Sequence, residues 1–156
     1  MSRRTAWLIA ASVAAFNGSL DIRLRFLAIG IEETVLDLDD RRGAAERVTR
    51  VLADGGFSAV VLAGDAVLAQ ACATAASRAG VPVVRVGAGE RAGDGADASR
   101  AADRLAQAHV ALDAASAASL AAEGIGAAED VRSGDLASVG ERVVRALSRV
   151  RRLSSC

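Results

Sequence analysis

This chain of 156 residues contains no lysine and no tyrosine; all 19 of its basic residues are arginine. Without lysine there is no G-x-x-x-x-G-K-[ST] phosphate loop. There is one histidine, His109, and there are two cysteines, Cys72 and Cys156. That set offers no metal-ligand spacing and no disulfide framework, so a reducing cytoplasm is the simpler setting. Aromatics make up only 3% against 52% hydrophobic residues, so alanine, valine and leucine must build the core. The 19 acidic residues cancel the arginines to a formal net charge of zero. That balance removes the electrostatic reason to expect a nucleic-acid partner. The apolar run near the N-terminus is about ten residues long, too short to span a membrane.

What is present is a regular alternation. Phe57 to Asp94 reads FSAVVLAGDAVLAQACATAASRAGVPVVRVGAGERAGD. The apolar run from Ala59 to Ala63 ends at Gly64-Asp65; a small-residue helix follows from Ala66 to about Ala79; a second apolar run covers Val81 to Val86 and opens into a glycine-rich turn. Strand, turn, helix, strand is one βαβ unit. Ligands in open α/β sheets sit outside the carboxyl ends of the strands, which points to Asp65 and the turn from Gly87 to Asp94.

The remaining segments extend the pattern. SRRTAWLIAASVAAF has the outline of a secretory signal, paired arginines before an apolar stretch, but lacks a small-x-small cleavage site, so residues 4 to 16 are expected to form a buried helix. Asp21 to Ile29 reads as a strand and residues 31 to 41 as irregular, with a short LDLDD segment. Residues 42 to 54 read as an amphipathic helix stopped by Gly55-Gly56. A helix reaching Ala108, a strand from His109 to Leu112, and a helix from Ala114 to Glu123 with Asp113 as its N-cap come next. A short strand from Asp130 to Ser133 precedes a last helix from about Ala137, on which Val139, Val143, Leu147 and Val150 make one stripe. The tail from residue 151 to 156 is expected to fray. Alternation throughout, with no repeat or linker, predicts a single α/β domain over residues 1–156: a three-layer Rossmann-like open parallel sheet with helices on both faces.

The motifs in this frame carry a family resemblance. GDAVLAQACATAASRAGVPVVRVGAGERAGD resembles the "GDT … A … PV.HVEAGLR.GD" signature of the non-hydrolysing UDP-N-acetylglucosamine 2-epimerases. ADRLAQAHVAL resembles their "LTDHLADLHFAPT", AASLAAEGI their "NLL.EGI", and VRSGDLASV their "V.TGNTVID". The match runs over residues 34 to 147 in one register. The family has a glycosyltransferase-B-like fold of two Rossmann-like halves with the sugar nucleotide between them, and the likeness covers the N-terminal half only. The family's first strand and its "GTRPE" turn have no counterpart, which implies that the chain starts at the first helix.

The family chemistry, anti elimination of UDP and its re-addition, needs acid/base groups at C2 of the sugar. The resemblance implies that Asp65 in the Gly64-Asp65 turn is a catalytic candidate; the alternative role for Asp65 is to N-cap the helix beginning at Ala66. The "HVEAGLR" glutamate is replaced by Gly87, and Glu90, three residues on, is only a weak substitute. Gly89, Arg91, Gly93 and Asp94 fit "GLR.GD". Arg91 would hold a phosphate or carboxylate, or else pair with Asp94 or Glu90 on the surface. Arg100 stands near a family arginine in a segment whose glutamates are gone. Ser133 and Gly134 replace "TG" of "TGN". His109 matches a family histidine and reads as a hydrogen-bonded structural residue. Gly87, Gly89 and Gly93 are misspaced for G-x-G-x-x-G, so no dinucleotide cofactor is expected, and no metal.

These departures imply an epimerase-like protein that is not an active epimerase alone, a pseudoenzyme keeping a ligand or partner site at the strand ends. The alternative is a working enzyme on a sugar nucleotide or a specialised metabolite, either as one half of a split epimerase or as a repurposed domain. A sugar nucleotide or related small molecule is the implied ligand. A homo-oligomer or a companion chain is expected because a missing first strand would expose sheet. No membrane partner is expected.

Overall fold

A parallel strand covered on both faces reads as a near-continuous apolar run, and Ala59 to Ala63 within Phe57–Gly64 is one: Ala59, Val60, Val61 and Leu62 are all fully buried. In the computed structural model, which describes residues 4–10, 33–37, 42–91, 93–125 and 139–154, this segment is β3 of a five-stranded, wholly parallel sheet. The strands are β1 (Arg4–Ala10), β2 (Glu33–Asp37), β3 (Phe57–Gly64), β4 (Val83–Val86) and β5 (Ala108–Val110), in the order β2-β1-β3-β4-β5. The helices are α1 (Ala44–Ala53), α2 (Ala66–Arg78), α3 (Ala96–Leu105), α4 (Ala114–Glu123) and α5 (Val139–Ser154).

The period of two along β3 and β4 sorts the core into two layers. Val60, Leu62 and Val83 face α1, α2 and α3. Ala59, Val61, Ala63, Val84 and Val86 face α5, whose Val143, Leu147 and Val150 form its buried stripe. Helices therefore lie on both faces, as the alternation predicts. α2 sits between α1 and α3 in the first layer, and its buried face is Ala69, Cys72, Ala73 and Ala76. Small side chains let the three helices approach. Burial raises the Cys72 thiol to about 11, so it is an inert packing residue.

Three expectations need correction. The stretch expected as a helix over residues 4 to 16 begins with β1, which pairs with β2 on one side and β3 on the other, Trp7 lying opposite Val35 and Val61. The first strand that the motifs implied was missing is thus present inside the sheet. Residues 33 to 37, expected to be irregular, are β2. α5 is helical through Ser154, well into the segment expected to fray. An inner strand of a parallel sheet need carry no polar alternation, so the apolar run of β1 reads equally as a buried helix. The expected strands at 21 to 29 and 130 to 133 lie outside the described residues.

Strand order β2-β1-β3-β4-β5 reverses direction at β1, which puts the topological switch point between β1 and β3. The carboxyl end of β3 is Gly64-Asp65.

Candidate functional site

Two strand exits and two helix starts meet at the carboxyl rim. β3 ends at Gly64, whose φ of 103° is one that glycine adopts readily. Asp65 follows with φ −55° and ψ 129°, and its Oδ1 accepts the Leu68 N–H at 3.0 Å, so it N-caps α2. β4 exits into Gly87-Ala88-Gly89-Glu90-Arg91. The N–H groups of Gly87 and Ala88 donate to the Val110 carbonyl, which ties this turn to the end of β5. Gly93–Gly95 forms one turn of 3₁₀ helix that delivers the chain to α3.

Between these pieces lies a hollow of about 190 Å³, lined by Gly64, Asp65, Ala66, Arg85, Glu90, Gly95 and Ser99. The turn after β3 and the turn after β4 therefore share one recess. Glu90 is exposed and Asp65 half-buried. Arg85 rises from β4 into the recess and is only 2% exposed. Its Nη1 donates to the Val86 carbonyl. Its Nε is buried without a hydrogen-bond partner and lies 3.8 Å from Asp103 Oδ1, itself buried and unpartnered. That separation is an ion pair but too long for a hydrogen bond. Burial pulls the Arg85 pKa down, and Asp103 opposes the shift.

The turn is held by a second set of charges. Asp103 is fully buried on α3; its Oδ2 accepts the Gly89 N–H at 2.9 Å and Arg91 Nη1 at 2.8 Å. Arg91 also donates Nε and Nη2 to Glu123 at 3.0 and 2.9 Å, and Nη1 to Ser99 Oγ and the Glu90 carbonyl. Its pKa is raised, first by the Glu123 hydrogen bond. Glu123 is drawn down to about 2, chiefly by that same bond and then by Arg100. Arg100 donates to Asp97 as well as Glu123. His109 is buried on β5, and since a carbonyl can only accept, its Nε2–H donates to the Asp103 carbonyl at 2.6 Å.

The structure therefore divides the sequence candidates. Gly64, Asp65 and Glu90 line the hollow. Gly89, Arg91 and Arg100 belong to the charge network behind it: Arg91 pairs with Asp103 and Glu123 rather than with the side chain of Asp94 or Glu90. Gly93 and Asp94 are exposed in the 3₁₀ turn. Ser133 and Gly134 lie outside the described residues. Where the family motif has its glutamate, Gly87 adopts φ 81°, a left-handed backbone that disfavours any side chain.

Sequence reasoning missed Arg85, Ser99, Asp103 and Glu123. A charged residue inside VVRV needs a buried partner. Ser99, Ala102 and Asp103 share the buried face of α3 at helical spacing. Glu123 sits at the C-terminus of α4, where a carboxylate opposes the helix dipole unless cations meet it. Among the described residues no cluster of histidine, cysteine or carboxylates could hold a metal, and no helix is long and apolar enough to cross a membrane.

No family model and no curated protein matches the sequence. Solved structures do match the fold. The chain resembles UDP-GlcNAc 2-epimerase from Neisseria meningitidis bound to UDP-GlcNAc at TM-score 0.72 and 16% identity, over 97% of this chain and 52% of that one. It resembles UDP-GlcNAc 2-epimerase from Methanocaldococcus jannaschii at TM-score 0.70 and 17% identity, over 83% and 45%. The S. aureus MnaA–UDP co-structure matches at TM-score 0.69 and 18% identity, over 78% and 41%. The chain thus has the fold seen in these epimerases and spans about half the length of each. Its fold is α/β and Rossmann-like, in agreement with the motifs.

Proposed function

We propose that this chain is an epimerase-fold domain that binds a sugar nucleotide or a related small molecule at the carboxyl rim of its sheet, and that it does not invert C2 of UDP-N-acetylglucosamine alone. The observation that carries the reading is the hollow itself, where Gly64-Asp65 and Glu90 meet beside a buried arginine at the switch-point end of β3. Solved structures of the same fold are named with UDP and with UDP-GlcNAc bound, which supports the ligand class.

The residues support the absence of C2 chemistry. Gly87 replaces a carboxylate, and its left-handed backbone leaves no ready place for one. The Asp65 carboxylate is engaged by the α2 N-terminus, and Glu90 is an exposed residue on the opposite turn. Acid/base catalysis needs groups held close to the reacting carbon. Isothermal titration with UDP and UDP-N-acetylglucosamine tests the binding half; absence of heat with both removes the sugar-nucleotide reading. An NMR assay for UDP-N-acetylmannosamine tests the other half.

A second reading is that of a working enzyme completed by other chain, and the span of about half of each epimerase neighbour supports it. Association with a companion or with a second copy belongs to this proposal. β1 lies inside the sheet, and among the described residues the edge strands open to association are β2 and β5. Light scattering on the eluted protein checks it: a sharp monomer at micromolar concentration contradicts self-association.

A further inference from the structure

The hollow holds a cation where the family motif has a histidine. Arg85 takes the place of that histidine in Pro82-Val83-Val84-Arg85-Val86, and Gly87 the place of the glutamate two residues on. An ideal Cβ at Gly87 would lie 3.8 Å from Arg85 Nη1, so the guanidinium lies against the turn position that lost its carboxylate. Arg85 is 98% buried by its 2% exposure, yet among the described residues its hydrogen bonds account for Nη1 alone. Nε is buried without a partner. Asp103 is the near anion, but its Oδ2 serves Gly89 and Arg91, and its Oδ1 stands 3.8 Å from Nε. A buried guanidinium with unfilled donors is unfavourable until an acceptor arrives.

We propose that the hollow receives an acidic group, a carboxylate or a phosphate oxyanion, on the guanidinium of Arg85. The recess suits one. The N-termini of α2 and α3 open onto it through Ala66 and Gly95, and helix N-termini favour anions. Ser99 Oγ also lines it. Its volume of about 190 Å³ leaves room for an acidic group and several further atoms. Asp65 and Glu90 line the same recess, and both repel an anion. Arg85 therefore competes against two carboxylates, and removing the exposed one should tighten binding.

The inference goes beyond the sugar-nucleotide reading, and its test separates the two. The full chain is titrated with inorganic phosphate, with acetate, with UDP-N-acetylglucosamine and with UDP-glucuronate, whose sugar carries a carboxylate. The expected result is saturable binding of phosphate or acetate. Glu90→Gln, an exposed change that leaves the fold intact, should tighten it by about three- to tenfold, and Arg85→Lys, which keeps the charge but loses the fork, should weaken it tenfold or more. Phosphate winning over acetate marks a phosphate site; UDP-glucuronate binding more tightly than UDP-N-acetylglucosamine marks a sugar carboxylate. Equal affinity of Glu90→Gln and the parent for both ions, or no saturable binding of either, overturns the inference. UDP-N-acetylglucosamine binding undisturbed by phosphate and acetate would leave the sugar-nucleotide reading standing and sink this one alone.

Discussion

Asp103 is the residue on which the candidate site rests. Its carboxylate holds the Gly89 amide and Arg91, faces Arg85, and its carbonyl accepts a hydrogen bond from His109 Nε2. Removing one partner from a buried ion pair costs about 3–5 kcal/mol, because the other charge is left buried. Asp103→Asn should cost about 3 kcal/mol, read as a fall in the urea midpoint, and should loosen the turn from Gly87 to Arg91. Gly89 is equally constrained. A Cβ there would overlap the Ser116 carbonyl of α4, at a φ of 86°. Gly89→Ala should therefore cost about 2–5 kcal/mol from backbone strain and overpacking together. Gly80→Ala, where nothing lies within 4 Å, should cost only the left-handed backbone, about 1–2 kcal/mol. Comparable losses at both sites would contradict this packing.

Glu123 gives the acid limb of stability a specific source. Its folded pKa of about 2 lies below its ordinary 4.5. A depressed carboxylate contributes stability in full above 4.5, and that contribution fades as pH falls towards 2. Asp113, lowered by the Ser116 amide, acts in the same direction. Urea midpoints between pH 5 and 2 should thus fall less steeply for Glu123→Gln than for the parent chain; parallel slopes would remove Glu123 from the account. These charges were hard to foresee in one dimension. Gly64, Asp65 and Glu90 were legible because turn chemistry is local. Arg91 and Arg100 were visible as charges, but Asp103 and Glu123 lie 12 and 32 residues from Arg91, and the partners follow only from the packing of α3 and α4.

Among the elements, α2 shows how little side chain a helix needs when it is enclosed. It lies between α1 and α3, with Ala73 and Ala76 fully buried. Cores resist added volume, so Ala73→Leu should cost about 1–3 kcal/mol, while Val67→Ala, at a 45% exposed position on the same helix, should change the midpoint little. The start of α2 has its own signature. Asp65→Ala removes the bond to the Leu68 amide and should cost about 1 kcal/mol. α4 was legible to the residue, Ala114–Glu123 between Asp113 and Gly124, because both ends carry local signals. β1 was misread for a physical reason. It is an inner strand, with Thr5 to Ile9 paired to both β2 and β3, and inner strands of parallel sheets read as continuous apolar runs without the alternation that would tell them from a helix. The same loss of signal does not affect β3, where Gly-Asp marks the exit.

At the scale of the molecule, the sheet order puts the switch point between β1 and β3, and the recess lined by Asp65 and Glu90 opens between the exits of β3 and β4. The layered fold could be read from alternation alone; the position of β1 within it could not. The account's central claim is that this rim binds a sugar nucleotide without inverting it. One proton NMR experiment in deuterated buffer tests both parts, with the purified chain mixed with UDP-N-acetylglucosamine. Saturation transferred from protein to ligand, with the C2 proton signal intact over many hours, is the expected result. Loss of that C2 signal to deuterium, or no saturation transfer at all, would contradict it.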